Sequence, residues 1–472
     1  MYRIAVFSDA HLYSHSLGIT GKAFELRSAL DQRMLEESSA IIDAGIAEII
    51  RQEPDCVLFA GDMTNNGETA SHVEFREKIA ELSKKIPVYV IYSTHDWCSD
   101  GNPRRFTGDV TLHDVESMTI EGLCGFYADF AQNGADSVFI NGKGAPSYFR
   151  RLGDGMALIA VNDDYSGTGK AGYTPEHLDW ILAQVRLAKK EGRRVVMMEH
   201  HLVIAHTSPL VTSGMSIGDR EKNVEALAAA GVDILLVGHS HMLNTTSYTA
   251  ANGNVLTQIN VGALTGYPAP IDWLTLNDDG SVTHDVEFLK GFTYNGKDYT
   301  LDDMKVHLEN VLADMIRAAA SDREEFCERF CSIGVSRSLA SKVFIGIRPI
   351  AKKFLTISVG SAGKIINALT LGKGIRQDAL EQVKDERLFD YVLTIFLNLF
   401  NGTSVRYPKG SPVYTIVRDL STIPRRVINR IPGNRISTDI CDKIESLTKE
   451  LTDPSGPDNL HAVIVPADQI QK

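Results

Sequence analysis

The chain has 472 residues, 43% of them hydrophobic and 23% charged, with a formal net charge of −12. This length exceeds what one hydrophobic core usually supports and predicts two domains, one of them large. No apolar run approaches a bilayer span, and the acidic balance speaks against broad nucleic-acid binding. Cys56, Cys98, Cys124, Cys327, Cys331 and Cys441 contain no CxxC pair, which argues against a zinc ribbon and a disulfide framework. The opening MYRIAVFSDAH has no basic n-region or cleavage-like site and runs directly into a strand pattern. A secretory signal is therefore not expected, and a reducing cytoplasmic setting is.

In chain order, buried strands are predicted at YRIAVFSD (2–9), DCVLFAGD (55–62), VYVIYSTHD (88–96), GMALIAVND (155–163), RVVMMEHH (194–201) and VDILLVGHSH (232–241). The amphipathic stretches 34–52 and 176–191 read as crossover helices, and this alternation implies an α/β sheet with helices on its faces. Segments 254–262, 271–276 and 281–288 add strands that close a domain over 1–290. The remainder, 291–472, is expected to be a mainly helical accessory domain or cap. Its pattern is helical from 300 to about 399, with a loop-rich link at 400–435 and a helix at 438–451. Cys327 and Cys331, four apart on one helix face, read as packing residues.

Five of the strands finish in potential metal ligands: Asp9-Ala10-His11, Gly61-Asp62, His95-Asp96, His200-His201 and His239-Ser240-His241. Residues two apart on a strand point the same way, and the carboxyl ends of an α/β sheet form its functional crevice. These groups are therefore expected to converge although 230 residues separate the first from the last. Carboxylate and imidazole without thiolate suit Mn, Fe or Zn. Two such ions, ~3.5–4 Å apart, hold a hydroxide nucleophile and stabilise an in-line displacement. Asp62, with two oxygens to share, is the natural bridge. The glycines before Asp62 and His239 allow a sharp backbone turn. On residue type alone either His200 or His201 can be the ligand.

The ordered set DxH, GDxxxxxG, xxHD, HH and GHxH resembles the calcineurin-like metallophosphoesterase superfamily over roughly residues 1–290. GDMTNNGE (61–68) and GYTPEHLDWI (172–181) are similar to its branch of class III cyclic-nucleotide phosphodiesterases. The resemblance implies a two-sheet αββα sandwich with a dinuclear centre at one edge. It implies that Asp9, His11, Asp62 and His241 hold one divalent ion, and that Asp62, His200 and His239 hold the other. It also implies that His95 contacts the phosphate and protonates the leaving oxygen, with Asp96 orienting or polarising it. A histidine beside a carboxylate is a suitable general acid near neutral pH.

One position departs from the pattern. Where the family has GNH followed by Asp or Glu, this chain has Ser93-Thr94-His95-Asp96. Thr94 stands where an asparagine carbonyl would ligate the second ion, so that site is expected to be weaker. The implied function is hydrolysis of a phosphodiester, a cyclic nucleotide or another small diester, by metal-activated hydroxide. The alternatives are a phosphomonoesterase or pyrophosphohydrolase on a nucleotide or lipid-linked substrate, and a weakly catalytic metal-binding scaffold. The expected partner is a small phosphoester; neither a nucleic-acid polymer nor a membrane is expected, and the sequence does not set the oligomeric state.

His15, His72, His113, His177, His284, His307 and His461 read as solvated or hydrogen-bonded surface residues. His206, Tyr13 and Asn66 are candidates to line the cleft or touch substrate. Asn162 and Asp163 end the fourth strand without a metal assignment. Segment 334–377 carries Arg337, Lys342, Arg348, Lys352, Lys353, Lys364, Lys373 and Arg376 and no Asp or Glu. The leading reading is a charged helical face; the second is a cationic wall that attracts phosphorylated substrate. The third is an amphipathic surface for anionic lipid, weakened by Gly360 and Gly363.

Overall fold

The computed structural model describes residues 1–205, 214–332, 336–401, 407, 409–428, 441–442, 445 and 459–466. Among these the chain divides into two units. One comprises Met1–Ile204, Gly214–His307 and the C-terminal strand, the other mainly Leu308–Gly456. The expected boundary at 290 differs from this division. The antiparallel hairpin of β15 (Gly291–Tyr294) and β16 (Lys297–Thr300) stays with the first unit, as does the C-terminal strand.

Two mixed sheets build the first unit. One has the order β17-β14-β13-β1-β2-β3, with β1 (Tyr2–Phe7), β2 (Cys56–Ala60), β3 (Val88–Ile91), β13 (Pro270–Leu276), β14 (Val282–Phe288) and β17 (His461–Ile464). The other has the order β11-β12-β10-β9-β8-β7-β6. It is made of β6 (Ser137–Ile140), β7 (Pro146–Leu152), β8 (Met156–Ala160), β9 (Arg194–Met198), β10 (Ile234–Val237), β11 (Asn244–Thr249) and β12 (Val255–Asn260). A small separate hairpin joins β4 (Arg105–Thr107) to β5 (Val110–Leu112).

The facing sheets bury alternate residues against one another: Ile4, Val6, Leu58 and Ala60 from the first, Leu158, Val196, Met198 and Leu236 from the second. The other face of each sheet is covered by helices. Phe7 and Phe59 pack with Ile41, Ile49 and Phe75 of the Ser38–Gln52 and Thr69–Ser83 helices. Ile159, Met197 and Val237 pack with Ile181, Val185 and Leu227 of the Pro175–Lys190 and Arg220–Ala230 helices. Burial on both faces explains why these strands read as unbroken apolar runs. The result is the αββα sandwich that the resemblance implied. The Pro175–Lys190 helix starts where Thr174 accepts from the His177 amide and Pro175 supplies a preset φ.

The order of strands places the chemistry. β1, β2 and β3 run parallel, as do β8, β9, β10 and β12. The carboxyl ends of β1, β2 and β3 therefore lie together along one sheet, and those of β8, β9 and β10 along the other.

In the second unit, helices Arg323–Ser332, Arg337–Thr356, Val359–Leu369, Gln377–Val383, Leu388–Phe400 and Pro412–Ile428 follow one another. The last corrects the loop-rich reading of 400–435: Ile416 helps bury a small apolar core with Val359, Leu380 and Tyr391. An apolar cleft of about 350 Å³ is lined by Leu312, Met315, Phe354, Phe389, Leu393 and Phe396. The helix expected at 438–451 lies mostly outside the described residues. Among the described residues no helix is long and apolar enough to cross a membrane.

Candidate metal centre

Three of the five strand ends leave their sheets through tight turns. Asp9, His11, Asp62, His239 and His241 take φ of 51°, 42°, 53°, 68° and 59°, a region that Asp and His tolerate better than most residues but that still costs energy. The backbone is held there by ladder-like bonds from Asp9, His11 and Leu12 amides to the Gly61, Asp62 and Met63 carbonyls. Gly61 fits the turn expectation, with φ of 90°. Gly238 has another cause: a Cβ there would lie 2.1 Å from Ser8 Oγ and 2.4 Å from Asp9 Oδ2. A side chain would displace the Asp9 carboxylate.

Among the described residues four groups of ligand atoms form: Asp9 with His11 and His241, His11 with Asp62 and His95, Asp62 with His200 and His239, and Asp163 with Asp164 and His201; the second and third share Asp62. His241 Nε2 lies 3.2 Å from Asp9 Oδ1 and 3.2 Å from His11 Nε2. His200 Nε2 lies 3.0 Å from Asp62 Oδ2, which is itself 3.8 Å from His11 Nε2. The His200 Nδ1–H donates to the Ala60 carbonyl at 2.8 Å, which leaves Nε2, a buried atom without a hydrogen-bond partner, as the nitrogen that faces Asp62 and would ligate an ion once it gives up its proton. Gln32 Nε2 meets His241 Nδ1; a ligating His241 Nε2 requires the Gln32 amide turned over, so that its oxygen accepts the Nδ1 proton. Asp9 accepts from Ser8 Oγ at 2.6 Å and from the His239 amide.

The electrostatics suit a cation. Asp9 and Asp62 are fully buried. Burial pushes both carboxyls up, but the neighbouring imidazoles hold them well below the usual carboxylate range, His241 foremost at Asp9 and His200 at Asp62. Burial opposes charge on His200, yet Asp62 raises it well above the usual imidazole range. Burial and the neighbouring His201 and His200 push His239 well below it. The nearby Arg33 is committed to Asp31, at 2.6 Å through Nε and 2.7 Å through Nη2. Two buried carboxylates facing imidazole nitrogens, without a guanidinium or ammonium partner of their own among the described residues, are a donor set that fits divalent ions once those imidazoles are neutral.

The structure separates His95 from Asp96. The His95 ring is held by the Asn65 carbonyl, 2.5 Å from Nδ1, and its amide donates to Asp62 Oδ1 at 3.1 Å. Asp96 instead accepts from the Thr64 and Ser93 amides, each at 2.9 Å, and burial with the Asp62 charge pushes its carboxyl up to about 8. It braces two loops, and among the described residues no hydrogen bond joins it to the His95 ring, which meets the Asn65 carbonyl instead. Thr94 donates no side-chain hydrogen bond; its carbonyl accepts from Ser99. His201 is turned away from Asp62: its amide and Nδ1 both meet Asp163 Oδ2, at 2.8 and 3.1 Å. Asp164 accepts from Ser93 Oγ and Trp97 Nε1.

Other candidates lie elsewhere. Tyr13 is fully buried, stacks on Phe24 and donates to the Leu17 and Gly18 carbonyls. Asn66 braces a loop through Asp100 and the Asn102 carbonyl. Asn162 accepts from the Tyr92 amide, and His206 lies outside the described residues. His72, His177 and His284 are not surface residues but fully buried, bonded to the Asp96 carbonyl and Tyr127, to Ser147, and to Asp272 respectively. Sequence reasoning missed Gln32 and the Asn65 carbonyl. It also missed a cleft of about 860 Å³ beside His201, whose walls include Lys170, Asp219, Arg220, Glu221 and Lys222.

The family model for calcineurin-like phosphoesterases matches residues 2–243. A probable cyclic nucleotide phosphodiesterase of Rhodococcus erythropolis is 22% identical over 243 residues, covering 51% of this chain and 65% of the relative. A probable glycerophosphodiester phosphodiesterase, GpdQ, of Arcobacter nitrofigilis is 25% identical over 202 residues, 42% of this chain and 60% of the relative. In both cases the match spans less than two thirds of the relative's length. Among solved structures, a dimetal phosphatase from Danio rerio is 12% identical and aligns over 64% of this chain and 98% of its own, with a TM-score of 0.45.

Proposed function

This chain belongs to the calcineurin-like phosphoesterase family, and within it we propose a dinuclear metal-dependent phosphodiesterase that hydrolyses a small diester such as a cyclic nucleotide. The observation that carries the reading is the place of Asp62, whose ligand oxygens fall in one group with His11 and His95 and in another with His200 and His239. Asp9, His11, Asp62 and His241 would hold one ion. Asp62, His200 and His239 would hold the other, with Thr94 as a further ligand. Mn, Fe or Zn bound there supplies Lewis-acid activation of water and of the phosphoryl oxygens.

The side chains do the rest. His95, with Nδ1 committed to the Asn65 carbonyl, keeps Nε2 for a phosphoryl oxygen and for proton delivery to the leaving oxygen. Burial holds this imidazole below its usual range; an anionic diester docked against it raises its proton affinity at the moment the proton is needed. Lys170, Arg220 and Lys222, on the walls of the cleft beside His201, suit the anionic or polar remainder of the substrate. That cleft, where Lys170, Arg220 and Lys222 outnumber Asp219 and Glu221, also favours a second reading, pyrophosphohydrolysis of a nucleotide with a second phosphate. The names of the relatives support the diester reading first. The free thiols of all six cysteines support a reducing compartment.

Metal depletion followed by Mn²⁺ addition tests the proposal with bis-p-nitrophenyl phosphate and p-nitrophenyl phosphate as substrates. The expected result is diesterase activity that disappears on depletion and returns with the ion. Full activity after verified removal of metal overturns it. Metal binding without hydrolysis of either substrate or of a nucleotide pyrophosphate would leave a scaffold.

A further inference from the structure

The second unit contains a surface whose composition the phosphoesterase chemistry does not use. Segment 336–377 folds into the Arg337–Thr356 and Val359–Leu369 helices and the turn that follows. The first helix buries Ala340, Phe344 and Ala351 on one side. Its remaining circumference exposes Leu339, Ile345 and Ile350, the last two at 67% and 70%. The exposed Lys342, Lys352 and Lys353 are interleaved with them. At the end of the second helix Leu369 and Leu371 are 80% and 81% exposed, close in sequence to Lys364 and the half-exposed Ile365.

These leucines are disfavoured twice. Leu371 takes φ of 54°, a region that branched side chains enter at a cost, and both side chains stand in solvent. Among the described residues little covers either side chain. Gly360 and Gly363, read from sequence as helix breakers, instead bring the second helix against its neighbour, since a Cβ would meet Lys384 and Leu380 at 2.7 and 2.5 Å. The helix therefore continues to its leucine-bearing end.

The cations have the same character. Arg337 and Arg376 are paired with Glu324 and Asp419, and Arg348 lies over the Phe344 ring. Among the described residues Lys342, Lys352, Lys353 and Lys364 have no acidic partner at salt-bridge distance. We infer that this segment is a docking surface for an anionic lipid bilayer, with Leu369 and Leu371 entering the headgroup–acyl boundary and the lysines meeting the lipid phosphates. Exposed aliphatic residues interleaved with unpaired lysines match that boundary, where apolar side chains sink and ammonium groups stay at headgroup level. A single strand of nucleic acid would call for exposed aromatic rings to stack on, and this surface presents none. A small phosphorylated ligand would call for a concave site, whereas these cations sit on the outward sides of helices.

Co-sedimentation of the full chain with phosphatidylcholine vesicles, with and without phosphatidylglycerol, tests the inference. Binding is expected only to the phosphatidylglycerol vesicles, falling as salt is raised. The triple variant Lys342→Gln, Lys352→Gln, Lys353→Gln should bind about 10²-fold more weakly, about fivefold for each cation removed. Leu369→Ser with Leu371→Ser should also weaken binding, by about tenfold or more per leucine. Both variants should unfold at the wild-type temperature and hydrolyse a soluble diester at the wild-type rate. The inference is overturned if the wild-type chain stays in solution with anionic vesicles at low salt, or binds neutral vesicles equally. It is also overturned if both variants bind as wild type. Self-association that the leucine variant abolishes, in a protein that ignores vesicles, would assign the surface to a second copy. Lysine-dependent, leucine-independent binding to duplex DNA would assign it to nucleic acid.

Discussion

At one half of the proposed centre His241 is braced by Gln32, and Asp9 by Ser8 and the His239 amide. At the other half His200 is braced by the Ala60 carbonyl, while the position that carries asparagine in the family pattern holds Thr94. Both halves share Asp62, and both lie at ends of parallel strands. On the proposed assignment the difference is one of ligand count and support, and it would make a dinuclear site of unequal strength on its two sides. The first half would have two carboxylates and two imidazoles, the second one carboxylate and two imidazoles with the Thr94 hydroxyl as a weaker donor.

The sharpest way to break this comparison is His95. It shares a ligand group with His11 and Asp62, so it is either a proton donor outside both halves or a ligand of the first. His95→Ala is expected to lower turnover by about 10²–10⁴-fold, the usual contribution of a general acid, while bound metal measured by elemental analysis stays near wild type. Loss of metal in that variant would add a ligand to the first half and remove the proton donor.

A smaller effect sharpens the same contrast. Gln32→Ala should reduce affinity at the first site by about 10–100-fold, the usual cost of losing the partner of a metal-ligating histidine, and leave the second site unchanged. Stepwise metal titration reads both sites at once. An equal loss at both would mean that Gln32 supports the loop as a whole and not His241 alone.

The convergence of the candidate ligands was legible in the sequence for a physical reason. Residues that follow buried parallel strands have few places to go, so Asp9, His11, Asp62, His200, His239 and His241 converge wherever the strands align. Their supports were not legible. Gln32 meets His241 across 209 positions and lies in a segment with no periodic pattern. The Asn65 carbonyl is backbone, and its residue type carries no signal. Asp96 misled because it adjoins His95 in the chain, while the turn at 93–96 folds its carboxylate back onto the Ser93 amide. β17 was hidden because a four-residue run pairs with β14 from far away in the chain, and β-propensity over so short a span is weak. The buried His72, His177 and His284 show the same limit. A histidine's burial depends on a distant hydroxyl, carboxylate or carbonyl that no local pattern announces.

The unequal centre is tested most directly at Thr94. Mn²⁺ titration of the metal-free protein, followed by calorimetry and by diesterase activity in parallel, should resolve two affinities, with activity tracking occupancy of the weaker site. Thr94→Asn should tighten that site alone by about tenfold, a change of about 1.4 kcal/mol. Two equal, tight sites in the wild-type protein, unaltered by the substitution, would contradict the account.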